Sequence, residues 1–277
     1  MAGNSSQPGR SVTIRALTLL STFDATHQRQ TLSEMSRRSG FPLTTTHRLV
    51  GDLEEWGAVE RDADGSYHIG LRLWELGMFT PANAQLRELA MPYMQELYET
   101  TRENVHLAVR DRFDALYLDR LSGHRSVPVV SRAGSRLPMH ATAVGKALLA
   151  HQSQAFVQYF CQRPLSRNTR YTITEPGRLV RELAEVRRRG YAQTVEEMTL
   201  GACSVAVPIR DNEGVATAAV GIVVHSVRAD LPKLVPSLMQ AAQSIEELLR
   251  NNGSDVPAAR RYTAMRRREP IQPGRPV

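Results

Sequence analysis

The sequence predicts an α+β protein of two domains, a winged helix-turn-helix followed by a larger α/β domain with a central antiparallel sheet. Three observations predict it. The chain has 277 residues, more than a typical single domain. Residues 31–57, TLSEMSRRSGFPLTTTHRLVGDLEEWG, read as two short helices joined by a tight turn. Farther on, VHLAVRD, ALYLDRL, CSVAVPI and VATAAVGIVVH are β-branched apolar runs separated by turn residues and helical patterns.

The first helix of the pair starts at Thr31, because Thr31 and Glu34 stand at capping-box spacing. It ends at Gly40, a residue that accepts the left-handed conformation of a C-cap, and Phe41-Pro42 blocks continuation. The spacing therefore predicts a helix over residues 32–39. The second helix spans about Leu43 to Trp56, with Thr46, Leu49, Val50 and Leu53 as its inward stripe. Thr44, Thr45, His47 and Arg48 fall on the other side of its first turns. Hydroxyls and N-terminal amides there suit phosphates, and an Arg can pair bidentately with guanine in the major groove. A structural hairpin with a solvated outer face would carry the same residues.

The flanks decide between the two. Upstream, SVTIRALTLLSTF places Val12, Ala16, Leu19, Leu20 and Phe23 near helical spacing. Downstream, Val59 to Arg61 and Tyr67 to Gly70 read as two strands around an Asp- and Gly-rich turn. Three helices and a hairpin in this order make a winged helix-turn-helix, so the outer face is read as a DNA-binding face.

Charge qualifies that reading. The net charge of +7 points towards nucleic acid. Residues 1–80, however, hold 8 Arg against 9 Asp plus Glu, residues 81–252 hold 21 Lys plus Arg against 17 acids, and residues 253–277 hold 6 against 2. Any attractive field on the N-terminal domain is local, from Arg37, Arg38, Arg48 and Arg61, and Glu54, Glu55, Asp62 and Asp64 must face elsewhere. Modest non-specific affinity and a moderate salt slope follow.

Other classes are disfavoured. No apolar run approaches the roughly 18 residues that span a bilayer, MAGNSSQPGR lacks the apolar segment of a secretory signal, and Cys161 and Cys203 lack metal-ligand spacing and fit a reducing cytoplasm. G-x-S-x-G, HExxH, P-loop and GxGxxG motifs are missing, and no cofactor or metal is expected.

After the wing, GMFTPANA reads as a linker and QLRELAMPYMQELYETT as a helix that Pro92 kinks or restarts. VHLAVRD, ALYLDRL and SVPVVS read as consecutive antiparallel strands, and MHATAVGKALLAH as a helix from about Thr142. The start of that helix, with its amides and the small residues Ala141, Ala143 and Gly145, offers a site for a carboxylate. Gly145 equally suits tight helix–sheet packing. GRLVRELAEVRRRG, opened by Pro176, puts Leu179, Leu183 and Val186 inward and Arg187 to Arg189 in the last turn, where cations favour the dipole. A closing helix, PKLVPSLMQAAQSIEELLRNNG, carries Leu234, Leu238, Ala241, Ile245 and Leu248 on one face, and the Pro- and Arg-rich remainder is expected to be disordered.

SVTIRALTLLSTF, LSEMSRRSGFPLTTTHRLVGDLEEWGAVERD and GSYHIGLRLWELG resemble the DNA-binding half of IclR-type bacterial transcription regulators, and LPMHATAVGKALLA, RRRGYA and VAVPIRDNEGVATAAVGI resemble their effector-binding half. The resemblance runs over about residues 11–250. It implies a disordered terminus over 1–10, a DNA-binding domain over 11–77, a linker and linker helix over 78–101, a GAF-like effector-binding domain over 102–252 and a disordered tail over 253–277. It implies DNA contacts at Arg37, Thr44, Thr45, His47, Arg48 and Arg61, and effector contacts at His140, Ala141, Thr142, Gly145, Glu197, Cys203 and Gly221. The function implied is a cytoplasmic regulator, with repression favoured over activation, that senses a small organic acid and controls a metabolic or catabolic operon. Its partners would be a near-palindromic double-stranded operator and further copies of itself, as a homodimer or a dimer of dimers. Gly221, Ile222 and Val223 replace the hydroxyls of relatives that bind small oxo-acids, which favours an acid with an apolar or aromatic body. The alternatives are an enzyme with Cys203 as nucleophile and His140 or His225 as base, or a winged-helix adaptor between proteins.

Overall fold

The computed structural model describes residues 11–251 except 25, 80, 124, 125 and 212, and the expected disordered ends lie outside the described residues. The chain divides into two compact units at Pro81/Ala82.

In the first unit α1 (Val12–Leu20) precedes β1 (Arg29–Gln30), α2 (Leu32–Ser39), α3 (Leu43–Trp56), the hairpin β2 (Val59–Arg61) and β3 (Tyr67–Ile69), and α4 (Leu71–Met78). Both reading helices have the expected bounds. Thr31 Oγ1 accepts from the Glu34 amide at 3.3 Å while the Thr31 amide donates to Glu34 Oε2 at 2.8 Å, so the capping box is closed. Gly40 ends α2 at φ 71° and Gly57 ends α3 at φ 83°, a left-handed backbone that disfavours any Cβ. Leu19, Met35, Phe41, Leu49, Val50, Val59 and Tyr67 form the core. The sequence reading lacked two elements. β1 is only two residues long and extends the wing to a three-stranded sheet in the order β1-β3-β2. α4 buries none of its residues, so its helical pattern has no core face to signal it.

In the second unit α5 (Pro81–Thr101) continues through Pro92 as one helix, rather than restarting there. A sheet of order β6-β5-β4-β9-β8-β7 follows, formed by β4 (Asn104–Asp111), β5 (Asp114–Leu121), β6 (Arg136–Pro138), β7 (Ala192–Val195), β8 (Ala202–Arg210) and β9 (Ala216–His225), with antiparallel pairing throughout. α6 (Ala143–Ala150), α7 (Gln154–Cys161) and α8 (Pro176–Arg189) come between β6 and β7, and α9 (Leu231–Asn251) closes the domain. Side chains alternate across the strands. One face sends Val105, Leu107, Cys203, Val205, Val220, Ile222 and Val224 into a core with Leu86, Met94, Leu238 and Ile245 of α5 and α9. The other face sends the small residues Ala108, Ala206 and Ala219 against Val144, Ala147 and Leu148 of α6 and Leu183 of α8.

SVPVVS is not a strand. Pro128 has no N–H to give a ladder, and side chains take the segment's carbonyls instead: Asn104 Nδ2 donates to Val127 O at 2.8 Å and Arg120 Nη1 to Ser131 O at 2.8 Å. In α9 the inward residue of the last turn is Leu249, with Leu248 half-buried.

Candidate nucleic-acid interface and ligand site

On α3 the expected outer face is open: Thr44, His47 and Arg48 are exposed and Thr45 half-buried, whereas Thr46 is buried. Pro42 stands at the N-cap with no side-chain cap, which leaves first-turn amides free to meet a phosphate. The arginines divide into two groups. Arg38 is tied into the fold, with Nε donating to Thr22 O at 3.1 Å and Nη2 to Asp24 Oδ2 at 2.6 Å. Arg61 lies 5.7 Å over the Tyr67 ring, and Arg48 pairs with Asp52 at 3.1 Å one turn along the helix, with both side chains more than half exposed. Arg37 is exposed. The acids that had to face elsewhere do so in part: Asp62 sits 3.5 Å from Arg29 and 3.2 Å from His68 Nδ1, and Asp64 Oδ1 accepts from the Ser66 amide at 2.9 Å.

The expected effector residues do not share one face. Cys203 is buried in the core under α5 and α9, on the opposite side of the sheet from Gly221. Burial pushes its thiol up, away from a nucleophilic thiolate. Gly145 is a packing residue: a Cβ there would strike Met139 backbone and lie 2.6 Å from Thr142 Oγ1. Gly221 admits Val144 and Ala206, which a Cβ would meet at 3.1 and 2.8 Å. His140 Nε2 pairs with Ser166 O at 2.9 Å, and burial lowers its affinity for a proton. Ala141 is buried, and Thr142 caps α6 by accepting from the Gly145 amide at 3.2 Å and donating to Pro138 O at 3.1 Å.

The strand pairing brings other residues together. Apart from the end residues Arg210 and His225, solvent reaches β8 and β9 only at Ser204 and Val223. These are direct cross-strand partners, and the same row continues to Thr194 on β7 and Asn104 on β4. Ser204 Oγ and Thr194 Oγ1 are 2.5 Å apart. The next row, Ala192, Ala206, Gly221 and His106, is covered by α6. His106 is fully enclosed, 3.0 Å from Ser131 Oγ and edge-on to Tyr117, and burial drops its pKa to about 3. The opening at the half-buried Ser204 and Val223 thus brings one hydroxyl and an apolar branch together on the α6 face of the sheet, with the buried Thr194 hydroxyl bound to Ser204. Sequence reasoning named Val223 only with Gly221 and Ile222 as positions lacking a hydroxyl, and missed Thr194, Ser204 and His106. Counting by twos from Gly221 singles out Val223, but Ser204 needs the strand register.

Glu197 is separate again. Burial pushes its carboxyl up and the Lys146 ammonium down, while their 2.5 Å ion pair opposes both shifts. It also borders a cavity of about 430 Å³ between α8 and the free edge of β7, which none of the other expected contacts lines. Among the described residues no group of His, Cys, Asp and Glu could hold a metal, and no helix is long and apolar enough to cross a membrane.

Two family profiles match this arrangement: "IclR helix-turn-helix domain" over residues 12–63 and "Bacterial transcriptional regulator IclR C-terminal" over residues 79–247. The chain belongs to the IclR family. Its relatives are transcriptional regulators, not enzymes. This IclR-family chain is 31% identical over 219 residues to the HTH-type transcriptional regulator KipR of Bacillus subtilis (strain 168), covering 78% of the chain and 88% of that protein. It is 29% identical over 255 residues to the HTH-type transcriptional repressor AllR of Escherichia coli (strain K12), covering 91% of each. Among solved structures, an IclR homolog complexed with 4-hydroxybenzoate from Microbacterium hydrocarbonoxydans is 36% identical with a TM-score of 0.82, covering 87% of the chain and all of that protein.

Proposed function

We propose that this IclR-family regulator is a cytoplasmic repressor released by a small organic acid with an aromatic or apolar body, and that it controls a metabolic or catabolic operon. The observation that carries the ligand reading is the opening at Ser204 and Val223. Paired hydroxyls beside a Val branch, near a helix start that has small residues, suit a carboxylate with an apolar body. The 4-hydroxybenzoate complex of the Microbacterium homolog supports the aromatic class, and the repressor AllR supports the sign.

DNA contacts are assigned to the α3 start, Thr44, Thr45, His47 and Arg48, with Arg37 and Arg61 beside it. A unit that carries 8 Arg against 9 acids within residues 1–80 cannot rely on a broad field. It acts as a homodimer, alone or as a dimer of dimers, on near-palindromic half-sites about one helical turn apart or a multiple of it. The exposed apolar residues of α4 and its C-cap support the second copy: Leu71, Trp74, Leu76, Met78 and Phe79 are all exposed, Phe79 by 81%. Copies joined there each present an α3. The acid acts by changing the linker geometry that sets where the two helices point.

Gel shift with DNA flanking the coding region should give a shift that the right acid reverses, and thermal-shift screening of organic acids should identify it. No shift with any neighbouring promoter at low salt overturns the reading. Trp74→Glu should convert the dimer to monomer in sedimentation and abolish the operator shift.

A further inference from the structure

Lys146 is the one lysine or arginine that is buried among the described residues, and Glu197 is the one buried acid. They join α6 to the loop between β7 and β8 across 51 positions of chain, at 2.5 Å between Nζ and Oε1. That loop is held tightly: Thr169 Oγ1 donates to Glu196 O at 2.6 Å, Thr172 Oγ1 to Glu197 O at 2.7 Å, and Glu196 sits at φ 54°. It connects Val195 to Ala202, one residue beyond Thr194 on β7 and two before Ser204 on β8. Lys146 lies three residues beyond Ala143, on the same side of α6. The pair therefore ties α6 to the segment that joins β7, which carries Thr194, to β8, which carries Ser204. An apolar pair of the same volume would serve stability as well or better, which points to a role for the charges.

Other groups that face the pair are accounted for. Glu182 and Arg189 of α8 are bound to each other at 2.9 Å. Arg178, Arg181 and Glu185 border the outer cavity with Glu197. Burial and the Lys146 charge lower the affinity of His140 for a proton, against the opposing hydrogen bond to Ser166 O. Among the described residues no unpaired buried cation is left to meet an incoming acid. Lys146 keeps N–H donors beyond the one given to Glu197, and Glu197 Oε2 has no hydrogen-bond donor.

We propose that Lys146 is the counter-charge for the sensed acid, and that the acid binds with uptake of one proton from solvent onto Glu197. The ligand carboxylate takes the place of Glu197 as the partner of the Lys146 ammonium, Lys146 stays protonated, and the added negative charge is cancelled by the proton on the displaced Glu197 carboxyl. This rests on the acid-sensing reading above.

Calorimetric titration of the full chain with 4-hydroxybenzoate, benzoate, phenylacetate and pyruvate, in phosphate, HEPES and Tris near neutral pH, tests it. For the tightest binder the heat should scale with buffer ionisation enthalpy to give uptake of about one proton, and affinity should fall up to about tenfold per pH unit as pH rises. Glu197→Gln should bind the acid without proton uptake and independently of pH. Lys146→Met should lose at least about tenfold in acid affinity and keep its operator shift, which also reports its folding. Binding by the native chain with no proton uptake, or equal binding by Lys146→Met, overturns the proposal. No binding by any acid of the panel overturns the acid-sensing reading and this inference with it.

Discussion

Ser204 on β8 and Val223 on β9 are direct cross-strand partners that share the α6 face of the sheet and that solvent reaches inside otherwise buried strands. One supplies a hydroxyl and the other an apolar branch, so the pair sets the polarity of the opening. Ser204→Val should therefore weaken acid binding by about 1–2 kcal/mol, roughly 5–30-fold in Kd, through the lost hydrogen bond. Operator binding without ligand should be unchanged. Titration of the native chain and Ser204→Val with the same acid checks this, and equal affinities would move the site elsewhere.

Gly145→Val tests the packing role of the α6 start. A branched side chain would collide with Met139 backbone and Thr142 Oγ1, the atom that caps the helix. The expected loss is about 1–3 kcal/mol from overpacking, with more if the cap opens. A lower urea midpoint with unchanged slope is the readout.

Arg48 and Asp52 give opposite expectations on DNA. Their exposed i,i+4 pair contributes only a few tenths of a kcal/mol to the helix, so Arg48 leaves it readily for a base or phosphate. Arg48→Ala should cost about 1–3 kcal/mol on the operator alone if it reads a base. Asp52→Ala should raise affinity for all sequences, because it removes a negative charge near the backbone. Gel shifts over a salt series separate the two.

His106 makes the sensing domain sensitive to acid. Its pKa is about 3 when folded against an ordinary 6.5, so the unfolded chain binds the proton first. Stability is complete above about pH 6.5 and declines as pH falls towards 3, with a slope approaching ~1.4 kcal/mol per pH unit for this group. His140 and His151 are shifted in the same direction by burial. Chemical denaturation across this range should show the decline, and His106→Asn should flatten part of it.

Much of the first unit is legible from local rules. Thr31, Glu34, Gly40, Pro42 and Gly57 each act within a few residues of their own position, so the caps locate α2 and α3 without tertiary context. The ligand site is legible only in part. Gly221 and the α6 start announce close packing, but Cys203 and Ser204 differ by one position, and one position reverses the face. Only the pairing of Thr194 with Ser204, and of Ser204 with Val223, decides which of them shares the α6 face. SVPVVS has strand composition but lies where Asn104 and Arg120 claim its carbonyls, a long-range effect that no local pattern carries.

Because β8 and β9 alternate strictly at this point, residues 203, 205, 222 and 224 anchor the core under α5 and α9, while 204 and 223 front the opening. Adjacent codons thus answer to different demands. Substitutions at 204 and 223 can change the polarity of this patch and leave every neighbouring core side chain in place, so surface chemistry can drift while the scaffold stays constant.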